Sequence, residues 1–317
     1  MSKPRILIAR TVFPEVVARL QQHFDVTDNQ ADVAWTKAEW TDRLREHVGA
    51  FSMGIDPVDE AVLQACPQLK ICANMSVGYN NLDVPAMTRH GVLATNAPDV
   101  LTETTADFGF ALMMAAARRV TESEHFLRAG QWKQWRYDLF AGAEVHGSTL
   151  GIMGMGRIGQ AIARRGALGF GMQVIYHHTK DLKLANRKFV GINELASTSD
   201  VISLHCPLTE KTDRMINSEF LSLMKSSSIL INTSRGGLIH SLDLKSALVS
   251  GQISAALLDV LEVEPPAVGH PLIGITNAII TPHIAWISLE ARKRIVTSLE
   301  NTLKSYIEGK VVNCVNP

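Results

Sequence analysis

The chain has 317 residues, enough for two domains of ordinary size. Its 31 basic and 31 acidic residues cancel, so no excess of charge favours nucleic acid or an anionic membrane as a partner. No apolar run approaches the roughly 18 residues of a membrane span, and the start runs into an apolar stretch without a leader-like segment. The cysteines follow neither a disulfide nor a zinc-ribbon spacing, so we expect reduced thiols in a cytoplasmic protein: Cys66, Cys72, Cys206 and Cys314.

Over the first hundred residues, short apolar runs alternate with amphipathic segments. The apolar runs predict strands at 6–9, 50–53, 70–73 and 92–95. The amphipathic segments predict helices at 15–23, 37–47, 59–65 and 84–90. This alternation predicts a parallel sheet with helices on its faces.

The middle of the chain has a different character. Residues 102–120 are almost wholly apolar, and a helix that is apolar on most faces must be buried, either within its domain or between subunits. The segment 126–147 that follows is rich in aromatic residues, among them Trp132, Trp135 and Tyr137. We expect it to form a domain arm or a dimer contact, and the protein to be a homodimer.

A second series of α/β units begins at residue 149. Strands are predicted at 150–153, 173–176, 201–205, 229–232, 255–258 and 278–281. Helices are predicted at 158–167, 218–225, 243–250 and 289–307. The expected fold class is therefore α/β, with two doubly wound, Rossmann-like parallel-sheet domains and a cleft between them.

A glycine-rich turn follows the first strand of this second series. It has the sequence Gly154-Met-Gly156-Arg157-Ile158-Gly159 and opens a predicted amphipathic helix. The first glycine permits a tight turn, the second lets the backbone approach a pyrophosphate, and the third allows close packing of helix on strand. The phosphates would rest on the helix N-terminus, so this turn predicts a dinucleotide site.

The end of the next strand bears on which dinucleotide is bound. NAD-preferring sites usually place a carboxylate there to accept a hydrogen bond from the ribose, but here His177, His178, Thr179 and Lys180 precede the first carboxylate, Asp181. Thr179 and Lys180 suit a 2′-phosphate, so we expect NADP(H) to be preferred over NAD(H). Neighbouring residues of a strand face opposite sides, so the two histidines do not predict a metal site.

Three reactive side chains follow predicted strands of the second half, where ligands of open α/β sheets bind. Arg235 suits a two-pronged charged hydrogen bond to a substrate carboxylate. His283 suits protonation of a carbonyl oxygen, and Glu264 can hold that ring and favour its charged form. Each has an ordinary structural interpretation when taken alone. Together, downstream of the glycine turn, they predict reduction of a keto acid.

At this point the sequence resembles the D-isomer-specific 2-hydroxyacid dehydrogenases over nearly its whole length. The motifs that carry the resemblance are 76–83, 102–107, the glycine turn, 205–209, 232–237, 258–265 and 281–286. The resemblance implies that Arg235 binds the substrate carboxylate and that His283 is the acid/base. Glu262 competes with Glu264 for the carboxylate that supports His283, and the family's spacing favours Glu264.

The resemblance also implies contacts with the cofactor and with the substrate carboxylate. Asp259 would face the nicotinamide end of the cofactor. Other segments would line it: His205, Cys206, Pro207, Thr233 and Ser234. The backbone amides of Val77 and Gly78 would form a second clamp on the substrate carboxylate. In the family's fold, residues 1–98 with 287–317 form the substrate domain, and 99–286 form the dinucleotide domain.

Within the family, the front half is most similar to glyoxylate/hydroxypyruvate reductases, including those that act on 2-ketogluconate. The later half is closer to hydroxypyruvate reductases, also called glycerate dehydrogenases. Many relatives carry a small residue at the position of Trp286. If this indole faces the substrate, it limits the acid to two or three carbons. Packing beneath a domain hinge is the alternative role for Trp286.

Two alternatives to this function remain open on the sequence. The first is a dinucleotide-sensing binding protein, like the corepressors that share the fold and retain the same three catalytic residues. The chain has no extra interaction tail of the kind that would favour this reading. The second is a dehydrogenase of another small oxyanion, such as phosphite or formate. Because formate oxidation needs no acid at a carbonyl, Glu264 and His283 favour a keto acid.

Overall fold

The computed structural model describes residues 3–317 and divides into two compact units. One unit contains the chain through Leu101 together with Ser288–Pro317, and the other contains Thr102–Ile287. Each unit has its own parallel sheet, which confirms the predicted class of two parallel-sheet α/β domains. Substrate binding by the first unit and dinucleotide binding by the second stay predictions.

The first unit contains a five-stranded parallel sheet in the order β2-β1-β3-β4-β5. Its strands are β1 (Arg5–Ile8), β2 (Asp25–Asp28), β3 (Gly49–Ser52), β4 (Ile71–Asn74) and β5 (Leu93–Thr95). Its helices are α1 (Pro14–Leu20), α2 (Lys37–Leu44), α3 (Glu60–Ala65), α4 (Val84–Arg89) and the C-terminal α11 (Leu289–Ile307). The central strands β3 and β4 are buried along their whole length, as expected for strands covered on both faces.

The C-terminal helix α11 belongs to the first unit although the second unit separates it in sequence. Ser288 caps its N-terminus by accepting a hydrogen bond from the amide of Ala291. Glu300, almost fully buried, receives hydrogen bonds from Arg19 at 2.8 Å and Lys304 at 2.6 Å. An ion pair therefore ties α11 to α1 across most of the sequence.

The second unit contains a seven-stranded parallel sheet in the order β12-β11-β10-β9-β6-β7-β8. Its strands are β6 (Thr149–Met153), β7 (Gln173–His177), β8 (Lys188–Phe189), β9 (Val201–Leu204), β10 (Ile229–Asn232), β11 (Ala255–Leu258) and β12 (Ala278–Ile280). Its helices are α5 (Thr102–Ala117), α6 (Val120–Arg128), α7 (Arg157–Phe170), α8 (Ile192–Thr198), α9 (Ser218–Leu223) and α10 (Ser241–Val249). The strand β6 has β7 on one side and β9 on the other, so the order of the chain reverses there and opens a crevice at the carboxyl ends of the strands.

The apolar helix α5 ends earlier than the predicted boundary at residue 120. It packs on α7, β10 and β11 and stops at Ala117, and Arg119 then adopts a left-handed conformation, with φ 51°, before α6 begins. The guanidinium of Arg119 binds Glu122 through two hydrogen bonds and lies over the ring of Phe140. These side-chain contacts stabilise a break that the run of apolar residues did not reveal.

Two strands and two helices escape the sequence patterns. Both strands lie at sheet edges: β2 is polar and partly exposed, and β8 has only two residues. The helices α6 and α8 have nine and seven residues. Over residues 3–317, no helix is long and apolar enough to cross a membrane.

Candidate active site

The glycine turn after β6 has the backbone geometry that its sequence requires. Gly154 has φ 96°, and a Cβ added there would lie 2.5 Å from the amide nitrogen of Cys206. A Cβ on Gly159 would lie 2.3 Å from the carbonyl oxygen of Gly154. These two glycines therefore allow the turn to pack against the segment after β9 and allow α7 to approach β6.

Gly156 serves a different purpose in the same turn. A Cβ added there would meet nothing within 4 Å, so the protein itself does not require a glycine at this position. Gly156 is also the N-cap of the 14-residue helix α7, and no side chain caps that end. An open approach to this helix N-terminus, where Arg157 and Ile158 follow, fits the pyrophosphate of a dinucleotide.

Two buried hydroxyl groups also fit a bound cofactor. Within residues 3–317, Oγ1 of Thr105 and Oγ1 of Thr233 are buried and have no hydrogen-bond partner. Gly109 lies one turn after Thr105 on α5, and a Cβ added to Gly109 would lie 4.0 Å from Cγ2 of Thr233. Since buried hydroxyls are normally paired, a ligand that supplies polar atoms would satisfy them. Thr105 lies in the motif 102–107, but neither the helical periodicity nor its side-chain type identified it as a site residue.

The end of β7 presents the residues that follow the glycine turn in the dinucleotide motif. His177 and His178 are partly buried, whereas Thr179 and Lys180 are exposed. Nδ1 of His177 lies 3.0 Å from the carbonyl oxygen of Val190, and its ring stacks on Phe189. His177 is therefore held by protein contacts, while the hydroxyl and ammonium groups of the next residues face solvent.

Asp181, the nearest carboxylate, is occupied by its own neighbours. Its Oδ1 accepts hydrogen bonds from the hydroxyl of Tyr176 at 2.6 Å and from the amide of Lys183 at 2.8 Å. The Tyr176 hydroxyl, together with the Lys183 amide, lowers the pKa of Asp181 below its ordinary value. This carboxylate therefore stabilises the turn after β7.

The ends of β9 and β10 are joined by a short hydrogen bond. The hydroxyl of Ser234 donates to the carbonyl oxygen of Cys206 at 2.6 Å, and Nε2 of His205 lies 2.8 Å from Oγ of Ser203. Burial lowers the pKa of His205 to about 4 and raises the pKa of the Cys206 thiol to about 11. Both groups are therefore neutral near pH 7. Pro207 is exposed, and its carbonyl oxygen accepts from the hydroxyl of Thr212.

Arg235 follows β10 in a turn that Asn232 closes. The fully buried Asn232 donates to the carbonyl oxygen of Arg235 at 2.8 Å and accepts from the amide of Ser234 at 3.0 Å. A Cβ on Gly236 would lie 1.9 Å from the backbone carbon of Leu261, so this turn packs directly against the segment that leads to Glu264. Burial lowers the pKa of Arg235, and the charge of Glu264 opposes that shift.

Glu264 and His283 form a hydrogen-bonded pair. Oε2 of Glu264 lies 2.6 Å from Nδ1 of His283, and Oε1 accepts from the amide of Leu261 at 2.8 Å. Partial burial opposes ionisation of Glu264, but the hydrogen bonds from His283 and Leu261 and the charge of Arg235 bring its pKa below the ordinary value. An ionised Glu264 accepts a hydrogen bond from Nδ1–H of His283, which leaves Nε2 of His283 to exchange a proton with a substrate.

The segment that carries His283 is anchored by Asp259. This carboxylate is almost fully buried, and it accepts hydrogen bonds from the hydroxyl of Thr281 at 2.6 Å and from the amides of Ile284 at 2.8 Å and Ala285 at 2.7 Å. His283 itself has φ 53°, a conformation that is rare for residues other than glycine. Asp259 thus has protein partners on both oxygens, and its predicted contact with the nicotinamide stays a prediction.

Glu262, the competing carboxylate, has other partners. It accepts hydrogen bonds from the amide and the hydroxyl of Ser241, at the start of α10, and one of its oxygens lies 3.6 Å from Nε2 of His270. It therefore fastens the segment after β11 to α10. Of the two carboxylates, Glu264 is therefore the one that forms a hydrogen bond with His283.

The remaining predicted substrate residues lie in two further segments. Val77 and Gly78 follow β4 of the first unit, in a loop that is partly exposed. Trp286 follows Ala285 in the second unit and is also partly exposed. Within residues 3–317, no three metal-binding side chains cluster in a way that would hold a metal ion.

Asn232 and Thr281 are site residues that sequence reasoning missed. Both act on the backbone or side chain of a predicted site residue rather than on a ligand. Each stands beside a residue that was singled out, at the end of a strand. Their position at the end of a strand was the only signal in the sequence for Asn232 and Thr281. A polar residue at such a position does not indicate which group it will hydrogen-bond.

Comparisons with known proteins show the family to which the chain belongs. A family model described as the NAD binding domain of D-isomer specific 2-hydroxyacid dehydrogenases matches residues 110–285. A glyoxylate reductase of Korarchaeum cryptofilum is 41% identical over 99% of this chain and 96% of its own length. A glyoxylate/hydroxypyruvate reductase B of Erwinia tasmaniensis is 37% identical over 99% of both chains.

A solved structure gives the same likeness in three dimensions. It is an NADPH-dependent glyoxylate/hydroxypyruvate reductase from Sinorhizobium meliloti in complex with NADP and malonate. Its TM-score against this chain is 0.86, at 32% sequence identity, and the alignment covers 99% of this chain and 97% of that one. At this identity and coverage the likeness extends beyond fold to family.

Proposed function

The chain belongs to the D-isomer-specific 2-hydroxyacid dehydrogenase family of NAD(P)-dependent oxidoreductases, and from that membership we propose that it reduces small 2-keto acids to D-2-hydroxy acids. Glyoxylate and hydroxypyruvate are the proposed substrates, because relatives similar over almost the whole chain are named for them. The observation that carries the proposal is the pair of Glu264 and His283 beside Arg235. A sensing protein or a phosphite or formate dehydrogenase has no observation in its favour.

Each of these three side chains has a distinct role in the proposed reaction. When bound, the reduced nicotinamide supplies the hydride for the keto carbon. Arg235 binds the substrate carboxylate with charged hydrogen bonds and orients the carbonyl group. His283 donates the proton from Nε2 to the carbonyl oxygen, and Glu264 stabilises the charged imidazole that makes this donation.

We propose NADP(H) as the preferred cofactor. The support comes from the end of β7, where Thr179 and Lys180 are exposed and the nearest carboxylate, Asp181, is bound to Tyr176 and Lys183. The residues that end β7 therefore include no carboxylate, and the ammonium group of Lys180 is available to bind a 2′-phosphate. The Sinorhizobium meliloti relative is described as NADPH-dependent.

Further residues complete the proposed site. His205, Cys206, Pro207, Thr233 and Ser234 would line the cofactor, with the orphan hydroxyl of Thr233 as the supporting observation. The amides of Val77 and Gly78 would bind the substrate carboxylate. Trp286 would limit the length of the acid. We also propose a cytoplasmic homodimer in which the aromatic arm around Trp135 contributes to the subunit interface.

The first experiment measures oxidation of NADPH and NADH with glyoxylate, hydroxypyruvate, pyruvate and 2-ketogluconate. Turnover of glyoxylate and hydroxypyruvate, faster with NADPH, is the expected result. Tight cofactor binding without turnover of any of these acids would contradict the proposed function and favour a sensing protein. A slow reaction with 2-ketogluconate beside a fast one with glyoxylate would support the size limit.

The cofactor preference has a separate test. Replacing both Thr179 and Lys180 by Ala removes the proposed partners of the 2′-phosphate, so KM for NADPH should rise about tenfold or more while KM for NADH stays within twofold. The matched control is Lys183→Ala, which removes a nearby ammonium group but leaves the amide that binds Asp181. Equal effects on the two cofactors would contradict the role of Thr179 and Lys180.

A further inference from the structure

In the loop after β4, three successive carbonyl groups accept hydrogen bonds from residues of the first unit. The carbonyl oxygen of Ser76 accepts from the amide of Ala97 at 3.0 Å. That of Val77 accepts from Nδ2 of Asn96 at 2.8 Å. That of Gly78 accepts from Nδ2 of Asn74 at 2.8 Å and from the hydroxyl of Ser76 at 2.6 Å. All the partners belong to the first unit, so the three carbonyl groups point into it.

The geometry of the peptide bond then fixes the direction of three N–H groups. In a trans peptide the carbonyl group and the following N–H point in opposite directions, and the peptide bonds of this loop are trans. The N–H groups of Val77, Gly78 and Tyr79 therefore point out of the first unit. Within residues 3–317 they donate to no protein acceptor. Three adjacent, outward N–H groups are the arrangement that binds anions.

Asn74 is itself held in one orientation by neighbours. It is fully buried, and its Oδ1 accepts from the hydroxyl of Ser52 at 3.1 Å and from Nδ2 of Asn81 at 3.2 Å. The acceptor end of the amide is thereby fixed, so the donor end faces the carbonyl oxygen of Gly78. Asn81 also donates to the carbonyl oxygens of Met53 and Asp56, which anchors the network to the backbone after β3.

We propose that Asn96 and Asn74 are positioning residues for the substrate carboxylate. By holding the carbonyl groups of Val77 and Gly78 inward, they aim the N–H groups of Gly78 and Tyr79 at the carboxylate of the 2-keto acid. The proposal rests on the proposed function above, and it adds Tyr79 as a third amide donor beside Val77 and Gly78.

This assignment gives the buried asparagines a role in binding rather than in chemistry. Donors that are already oriented in the free protein need no rearrangement when an anion binds, so they favour binding. Freeing one carbonyl group lets its peptide plane rotate and loses one charged hydrogen bond to the carboxylate. The chemical step itself depends on other side chains. The expected signature is therefore a raised KM with little change in kcat.

The primary test replaces Asn96, which is only partly buried, by Ala. We expect Asn96→Ala to raise KM for glyoxylate about tenfold, with kcat within twofold, because a hydrogen bond to a charged group is lost. The dissociation constant of oxamate, a keto-acid mimic, should rise by a similar factor when measured by calorimetry on NADPH-saturated protein. The dissociation constant of NADPH should not change.

The matched control is Thr95→Val, one position earlier in the chain. Thr95 is fully buried and donates one hydrogen bond to the carbonyl oxygen of Cys72 in the same sheet, but it contacts none of the three loop carbonyl groups. Its replacement should lower Tm and leave KM and oxamate binding unchanged. This control separates the effect of lower stability on substrate binding from the effect of N–H groups that no longer point at the carboxylate. A second variant, Asn74→Ala, should raise KM by a smaller factor at the neighbouring carbonyl group, because the hydroxyl of Ser76 still donates to the carbonyl oxygen of Gly78.

The possible outcomes separate a failure of the positioning role from a failure of the proposed function. Unchanged oxamate affinity in both Asn96→Ala and Asn74→Ala would overturn the inference, as would an equal loss of affinity in Thr95→Val. If the wild-type protein reduces no 2-keto acid, the proposed function fails, and oxamate binding by the variants still decides the positioning role. If the wild-type protein also binds no oxamate, both are overturned.

Discussion

At the scale of single residues, His283 combines a strained backbone with a strong network of support. A left-handed conformation of a residue other than glycine costs about 1 kcal/mol or more. Asp259 accepts three hydrogen bonds from the surrounding segment, and hydrogen bonds to a charged group contribute about 1.5 to 3 kcal/mol each. The contacts therefore outweigh the strain, and His283 stays beside Glu264.

Replacing His283 by Gln tests the proposed acid. We expect kcat for glyoxylate to fall by a factor of about 100 to 10,000, the usual contribution of a positioned proton donor, with a smaller change in KM. The control is His240→Gln, because His240 also lies in the second unit and also pairs with a carboxylate, that of Asp243. Steady-state kinetics would contradict the assignment if the two variants lost activity equally.

His205 predicts a dependence of stability on pH. Burial lowers its pKa from 6.5 to about 4 in the folded protein, so as the pH falls the unfolded chain binds this proton first. The contribution to the free energy of unfolding is fully present above pH 6.5 and is lost progressively towards pH 4, by roughly 3 kcal/mol at most.

Denaturant unfolding of the wild type and of His205→Gln between pH 7 and pH 4 measures this effect. The wild type should lose more stability than the variant over that window, since the variant cannot bind the proton. The exposed His23 supplies the control His23→Gln, which should follow the wild type. Parallel curves for the wild type and His205→Gln would contradict the prediction.

At the scale of elements, the turn between β6 and α7 shows how one motif divides its tasks. Gly154 is required by the fold, because a side chain there meets the backbone of Cys206 and the backbone is left-handed. Gly156 is not required by any protein contact. The same motif therefore contains one glycine for folding and one for the approach of a ligand.

The pair Gly154→Ala and Gly156→Ala separates these tasks, each variant serving as the control for the other. We expect Gly154→Ala to lower Tm, and to lower the free energy of unfolding by about 1 kcal/mol or more, because of the collision and the positive φ. We expect Gly156→Ala to keep its Tm and to bind NADPH at least tenfold more weakly, because its methyl group occupies the approach to α7. Thermal unfolding and NADPH fluorescence titration measure both quantities. Normal NADPH affinity in Gly156→Ala would contradict the ligand role.

The helices α5 and α6 illustrate where an element ends. The predicted helix extended to residue 120, yet the chain turns at Arg119, where Glu122 and Phe140 hold its guanidinium. The amide of Ala143 donates to the carbonyl oxygen of Ala117, so the aromatic arm returns to the end of α5. The arm is thus anchored at its base, and its tip projects.

At the scale of the whole molecule, the tip of that arm is the clearest unsatisfied surface. Trp135 is 86% exposed and Tyr137 is 108% exposed. Large aromatic side chains are rarely left in water without a purpose, and they are enriched at protein interfaces. These exposures support the proposed homodimer, in which a second copy of the chain would cover the arm.

Light scattering at micromolar protein concentration tests this assembly. The wild type should have twice the mass of the 317-residue chain, and the double replacement of Trp135 and Tyr137 by Ser should shift it towards the monomer, because the apolar area that favours association is lost. Val268→Ser is the control, since Val268 is as exposed as Tyr137 but lies outside the arm. A wild-type monomer, or dimers of equal stability in all three proteins, would contradict the role of the arm.

Much of the architecture was determined by the sequence itself. Strands that are covered on both faces need continuous apolar runs, and for this reason β3, β4, β9 and β10 were predicted within a residue of their observed bounds. The turn at Gly154 was equally plain, because only glycine fits such a backbone and the spacing of its glycines follows from the helix. The apolar runs and the glycine spacing both depend on residues that are close in sequence, so both can be recognised from the sequence.

Other features were decided only by the tertiary structure. The edge strands β2 and β8 exist because a neighbouring strand offers backbone partners, which no side-chain pattern records. Glu264 reaches His283 while Glu262 binds Ser241, although the two carboxylates are two positions apart. The partner of a side chain depends on where distant segments are brought by the packing of helices and strands, and that information is distributed over the whole chain rather than present at the residue.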